Sequence, residues 1–148
     1  MERHRIAIAL VGFLLVVASV AVPAEEHRVS GRVEGIEQEG RLFVAVFEKR
    51  GRFINKETTD DYVAGRVYEV DSTDVVVYRL RGVPSGTYVL LAFLDTNDNE
   101  ELDMGILGPR EPWGIYNPDE RSLVGRPRFD AFSFELSSDM RGADVRLR

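Results

Sequence analysis

Residues 41–47 (RLFVAVF) are apolar from Leu42 onward and rich in Val and Phe. The run is too short for a stable helix, and β-branched and aromatic side chains favour the pleated surface of a sheet. Upstream, residues 28–34 put Val29 and Val33 on one face and Arg28, Ser30, Arg32 and Glu34 on the other, the alternation of a half-buried strand. Glu37-Gln38-Glu39-Gly40 between them reads as a hairpin connection. A second hairpin is predicted from residues 74–80 (DVVVYRL) and 87–94 (TYVLLAFL), which flank Val83-Pro84-Ser85-Gly86. There Pro presets φ and Gly accepts a positive one. In the first of these strands Val76, Tyr78 and Leu80 share a face, with Arg79 opposite. In the second both faces are apolar: Tyr88, Leu90, Ala92 and Leu94 against Val89, Leu91 and Phe93. Such a strand is central and covered on both sides. The irregular stretch 104–128 is the expected cover for one of them.

Two strands close the pattern. Residues 129–136 point Phe132, Phe134 and Leu136 one way. Residues 143–148 turn Ala143, Val145 and Leu147 inward and Asp144, Arg146 and Arg148 outward, after a turn at Gly142. Residues 55–70 fit two descriptions, a helical turn near 58–63 and a short strand near 67–70. Six to seven short strands, turn signals and no long amphipathic helix predict an all-β fold, an antiparallel β-sandwich.

The N-terminus has a different character. Arg3 and Arg5 precede an uncharged apolar run from Ile6 to Val22, followed by Pro23-Ala24 and then Glu25-Glu26. This is the pattern of a secretory signal peptide. Val22 and Ala24 are small enough for the −3 and −1 positions of a cleavage after Ala24. The alternative is an uncleaved membrane anchor, but 17 residues of helix reach only about 25 Å, short of a hydrocarbon core of ~30 Å. The expected organisation is a signal peptide over 1–24 and one β-sandwich domain over 25–148. The expected location is extracytoplasmic, periplasmic or secreted, with no membrane contact after cleavage.

Composition removes several chemistries. The formal net charge is −6, which argues against nucleic acid as a partner. With no cysteine, thiolate metal sites and thiol catalysis are excluded. Of two histidines, His4 leaves with the signal, and His27 sits next to the new terminus, where chains fray. A serine–histidine relay needs a rigid histidine, and a zinc site needs several His or Cys ligands, so neither is expected.

The candidate chemistry lies in the loop Asp95-Thr96-Asn97-Asp98-Asn99-Glu100-Glu101-Leu102-Asp103, directly after the most apolar strand. It holds five acids and no base in nine residues. Oxygen side chains fall at loop positions 1, 3, 5 and 9, namely Asp95, Asn97, Asn99 and Asp103, and the carbonyl at position 7 is that of Glu101. Calcium takes six to eight oxygen ligands, and this spacing matches the first part of a helix-loop-helix calcium loop. Two positions depart from it. Position 6, normally Gly, is Glu100, and position 12, normally a bidentate Glu, is Ile106. Remaining ligands would come from Glu111 or water. The competing reading is a solvated acidic turn, since Asp and Asn are common turn formers; against it, five uncompensated acids repel one another.

The same segment carries a resemblance. Gly86-Thr87-Tyr88, the loop Asp95 to Asp103, then Gly108, Glu111, Gly114 and Asn117, and finally Phe129, Ala131 or Phe132, and Phe134 resemble domain-of-unknown-function family 2141, small exported bacterial proteins. The resemblance implies a transthyretin-like or prealbumin-like sandwich and no established activity. Trp113 and Tyr116, after the loop, fit two roles: stacking on a sugar ring, or packing over the central strand's second face.

Three functions are therefore in play. One is a non-enzymatic exported protein whose acidic loop takes Ca²⁺ and presents 104–128 to a protein or glycan partner. Another is a small carboxylate-based, glycosidase-like hydrolase. The last is a carrier for a small ligand. No residue is assigned a catalytic role.

Overall fold

The computed structural model describes residues 25–48, 62–71, 75–116 and 129–148. The predicted signal peptide, residues 55–61 of the ambiguous segment and residues 117–128 of the expected cover lie outside them. The described chain is all-β and forms two sheets. In chain order the elements are β1 (Glu26–Glu34), β2 (Gly40–Phe47), β3 (Ala64–Val70), β4 (Val75–Pro84), β5 (Gly86–Asp95), β6 (Trp113–Ile115), α1 (Phe129–Phe132), β7 (Phe134–Leu136), β8 (Met140–Arg141) and β9 (Val145–Arg146). The first sheet runs β4-β1-β8, with β9 also on β1; the second runs β3-β2-β5-β6, with β7 also on β5. Among the described residues no helix is long and apolar enough to cross a membrane.

The alternation read from the sequence places the core correctly. Val29, Val33, Tyr78 and Leu80 of the first sheet meet Leu42, Val44, Val46, Tyr88, Leu90 and Leu94 of the second. The Tyr78 hydroxyl donates to the carbonyl of Ala143, and burial pushes its phenol well above the usual tyrosine range. The other face of β5 also packs away from water. Val89, Leu91 and Phe93 lie under Leu102, Ile115, Phe129 and Phe132, with Met104 and Trp113 at the margin. Thus Trp113 packs on the second face of the central strand, while Tyr116 turns to the inter-sheet core and meets Phe134 edge-on at 5.5 Å.

Neither predicted hairpin forms. β1 pairs with β4 and β2 with β5, so each short connection crosses from one sheet to the other. After β1, Ile36 plugs the inter-sheet core from within the connection, only 1% exposed. At the other crossing Ser85 alone separates β4 from β5. Pro84 has no N–H to extend a ladder, and its carbonyl accepts the Tyr88 hydroxyl at 2.9 Å. Period-2 alternation tells which face of a strand is buried, not which strand is its neighbour.

Three further expectations are corrected. Residues 129–136 are not one strand: a helical turn, α1, precedes β7, so Phe132 joins the outer cluster while Phe134 and Leu136 face the inner one. β3 is longer than the predicted 67–70, and Val63 is not helical but extends its ladder by donating to Val46 at 2.9 Å. His27 does not fray. It is buried, and its Nε2 lies 2.7 Å from Ser85 Oγ, tying the start of β1 to the crossing between β4 and β5.

The sheets are also not purely antiparallel. The C-terminal ribbon turns Ala143, Val145 and Leu147 inward as expected, but it lies parallel to β1, with Val29 opposite Met140 and Val33 opposite Val145. Two glycines permit the approach. A Cβ on Gly31 would stand 2.3 Å from the Ala143 carbonyl oxygen, and one on Gly114 would stand 2.2 Å from that of Arg146. Trp113 and Arg148 exchange backbone hydrogen bonds, so this ribbon links the two sheets at one edge. Outside it, Asp144 accepts from Arg32 at 3.0 Å, which holds its carboxyl below the usual carboxylate range.

Candidate functional site

β5 carries Asp95 into the fold as its last residue, and Asp95 is only 1% exposed. A buried carboxylate must be hydrogen-bonded, and the loop supplies the donors itself. Asp95 Oδ1 accepts from the backbone N–H of Asn97 (3.2 Å) and Asn99 (3.3 Å), and Oδ2 from that of Glu100 (2.9 Å). The loop is wound around this side chain. Successive turns of the same kind follow: Asn97 Oδ1 accepts from Asn99 N at 3.2 Å, and Asn99 Oδ1 from Glu101 N at 2.9 Å.

The winding requires left-handed backbone at two residues, Asp98 (φ 59°) and Glu100 (φ 62°). Asp tolerates that region comparatively well, Glu poorly. Glu100 thus adopts at loop position 6 the conformation for which calcium loops use Gly. The turn is made at Glu100 without a glycine, with strain.

Asp103 closes the ring. Its Oδ2 accepts from the Asn97 side-chain amide at 2.8 Å and its Oδ1 from that of Asn99 at 3.2 Å. The structure therefore brings Asp95, Asn97, Asn99 and Asp103 together by hydrogen bonds. Glu101 contributes its backbone N–H to Asn99, and its side chain is exposed. Among the described residues, no group of three or more His, Cys, Asp or Glu side chains is gathered as a metal site.

Two residues outside the loop hold it in place. Glu111 is buried, and its Oε1 accepts from Thr96 N at 2.9 Å while its Oε2 accepts from Asp103 N at 3.2 Å. It braces both ends of the loop. Arg41 is the residue that sequence reasoning missed. It stands opposite Asp95 in the β2–β5 register, and its Nη1 reaches Asp98 at 3.1 Å and Glu100 at 2.6 Å; its Nε faces Glu69 at 3.4 Å. Hydrogen bonds to Glu100 and Asp98 raise the pKa of its guanidinium. The acids of the loop are therefore partly compensated, contrary to the expectation of unrelieved repulsion. The available signal was a lone cation opening an apolar strand, but only the pairing of β2 with β5 brings it to the loop.

Phe43 stacks on Phe93 with ring centroids 4.8 Å apart, and Arg41 lies over Phe43 at 5.4 Å. Together with Ala45, Tyr62, Val67 and Glu100 they line a groove of about 420 Å³.

A family model matches residues 32–142, the span that contains the loop, Arg41 and Glu111; its description is an uncharacterised protein conserved in bacteria, DUF2141. The chain belongs to this family. The DUF2141 match runs from the end of β1 to Gly142, so it takes in β2 to β8 and leaves out most of β1 and all of β9. No curated protein and no solved structure matches the chain.

Proposed function

We propose that this DUF2141 protein is an exported, non-enzymatic β-sandwich of transthyretin-like type whose loop 95–103 binds Ca²⁺ weakly. In this reading the ion fastens the loop, and with it the segment that follows, for contact with a protein or glycan. The observation that carries it is the consecutive winding of the loop on Asp95, Asn97 and Asn99, with position 6 in the left-handed region. Each Asn oxygen accepts one backbone N–H and keeps a second lone pair for a cation. The Asp103 carboxylate, now held by two neutral amide N–H groups, would exchange them for a divalent charge. A ring of this size leaves calcium short of six ligands, so water completes it and Kd is expected on the order of 10⁻⁴ to 10⁻³ M.

Calcium titration followed by thermal unfolding tests this. Ligand at 100 times Kd adds about 2.7 kcal/mol, a rise in Tm on the order of 10 °C for a domain of this size. Mg²⁺ should do much less, because it demands a tight octahedron and dehydrates reluctantly. Asp103→Ala should remove the calcium response. No rise with Ca²⁺, or an equal rise with Mg²⁺, would leave the loop an acidic turn.

Export has its own measurement. Intact mass of protein recovered from the extracytoplasmic fraction of its native host should correspond to a chain beginning at Glu25. Full-length chain in the membrane fraction would instead make residues 1–24 an anchor.

A further inference from the structure

The loop 95–103 sorts its side chains by position. Asp95, Asn97, Asn99 and Asp103, at odd positions, bond to one another or to the loop's own backbone. Asp98 and Glu100, at positions 4 and 6, bond elsewhere: a single nitrogen, Arg41 Nη1, holds both, at 3.1 and 2.6 Å. Among the described residues these are also the two non-glycines with left-handed backbone. Arg41 is itself well fixed. A Cβ on Gly40 would stand 2.5 Å from the Asp95 carbonyl oxygen, so β2 and β5 meet closely there. The guanidinium lies over the Phe43 ring, and Glu69 is 3.4 Å from its Nε. The strand pair that buries Asp95, the axis of the winding, thus also carries the group that grips the two strained positions.

We propose that Arg41 is a positioning residue for the loop. By pairing with Asp98 and Glu100 it holds the left-handed backbone that calcium loops obtain from glycine at position 6, and so keeps the odd-numbered oxygens together before any ion arrives. Glu100 is then the acidic half of a clamp. Its Cβ carries a steric cost in this conformation, and in return it offers a carboxylate that glycine lacks. The clamp is electrostatic and open to water, with the Asp98 and Glu100 side chains 79% and 66% exposed, so salt weakens it. The hydrogen bonds to buried Asp95 are screened much less. The calcium part of this inference rests on the proposed ion loop; the clamp itself does not.

Amide hydrogen exchange, read by NMR on the purified chain in chelator, tests the clamp without calcium. In Arg41→Met the Asn99 and Glu100 amides, which donate to Asp95, should exchange severalfold faster, while the amide of Leu90 keeps the parent's rate. Arg41→Lys should recover most of the protection. Added NaCl should speed the parent's loop exchange toward the Arg41→Met rate and leave that variant unmoved. In the Glu100→Gly background the steric cost is gone, so adding Arg41→Met should change the Asn99 amide little. Unchanged loop exchange in Arg41→Met, or an equal acceleration in the Glu100→Gly background, overturns the proposal. Calcium titration of the same proteins separates the two readings. Arg41→Met should bind Ca²⁺ severalfold more weakly, although losing a cation beside the loop would by itself favour the ion. Tighter binding in Arg41→Met overturns the positioning role. A parent that binds no Ca²⁺ fails the ion reading alone, and the exchange rates still decide the clamp.

Discussion

Leu90→Asp is expected to abolish cooperative unfolding, leaving a chain that is insoluble or lacks the near-ultraviolet dichroism of packed aromatic rings. Leu90 has no exposed surface and faces the inter-sheet core from the central strand, opposite Val46. An unpaired carboxylate there costs several kcal/mol, out of a total stability of ~5 to 15 kcal/mol. The lost aliphatic contacts add roughly 2 to 5 kcal/mol. The same change at Leu107, which is 97% exposed, should leave Tm unaltered. A soluble Leu90→Asp protein with the parent's Tm would show that β5 does not face a core.

Asp95→Ala should be the most damaging substitution in the loop, and its cost should appear with no metal present. Asp95 is the acceptor for three backbone N–H groups and is itself buried. Removing it strips the winding of its axis. Each stranded donor costs ~1 to 3 kcal/mol where water cannot reach, and the exposed loop admits some water, so about 2 to 4 kcal/mol is expected. That corresponds to a fall in Tm on the order of 10 °C. Asp95→Asn keeps one carbonyl-type oxygen and should fall between. A calorimetric scan of both variants in chelator checks this ordering. If Asp95→Ala were as stable as the parent, the buried carboxylate would contribute nothing to the apo fold.

These two residues illustrate what the sequence disclosed. Leu90 and its neighbours form an unbroken apolar run, and their burial on both faces was legible because a strand covered on both sides needs no polar positions. The loop was legible as a set of oxygen side chains at odd positions. Strand partners leave no such trace. Nothing local distinguishes a hairpin from a crossing between sheets, so the pairing of β2 with β5 was hidden, and Arg41 with it. Glu111 was noticed, but as a spare ligand; its role depends on which backbone N–H groups it meets, which only the folded chain determines. At Phe129–Phe132 an aromatic-rich stretch that suits a strand forms a helical turn instead, because its rings have a second apolar face to cover. Local propensity yielded there to tertiary burial.

The parallel placement of the C-terminal ribbon on β1 has a temporal consequence. Arg32 and Asp144, 112 positions apart, are neighbours in the finished sheet, and so are Ser30 and Met140. A chain emerging from a ribosome or a translocation pore, amino end first, offers β1 long before its partner exists. The first sheet must wait with one side of β1 unpaired until β8 and β9 appear, and closing so large a loop is slow. The first sheet is therefore completed only after β8 and β9 have been made, because they pair with β1.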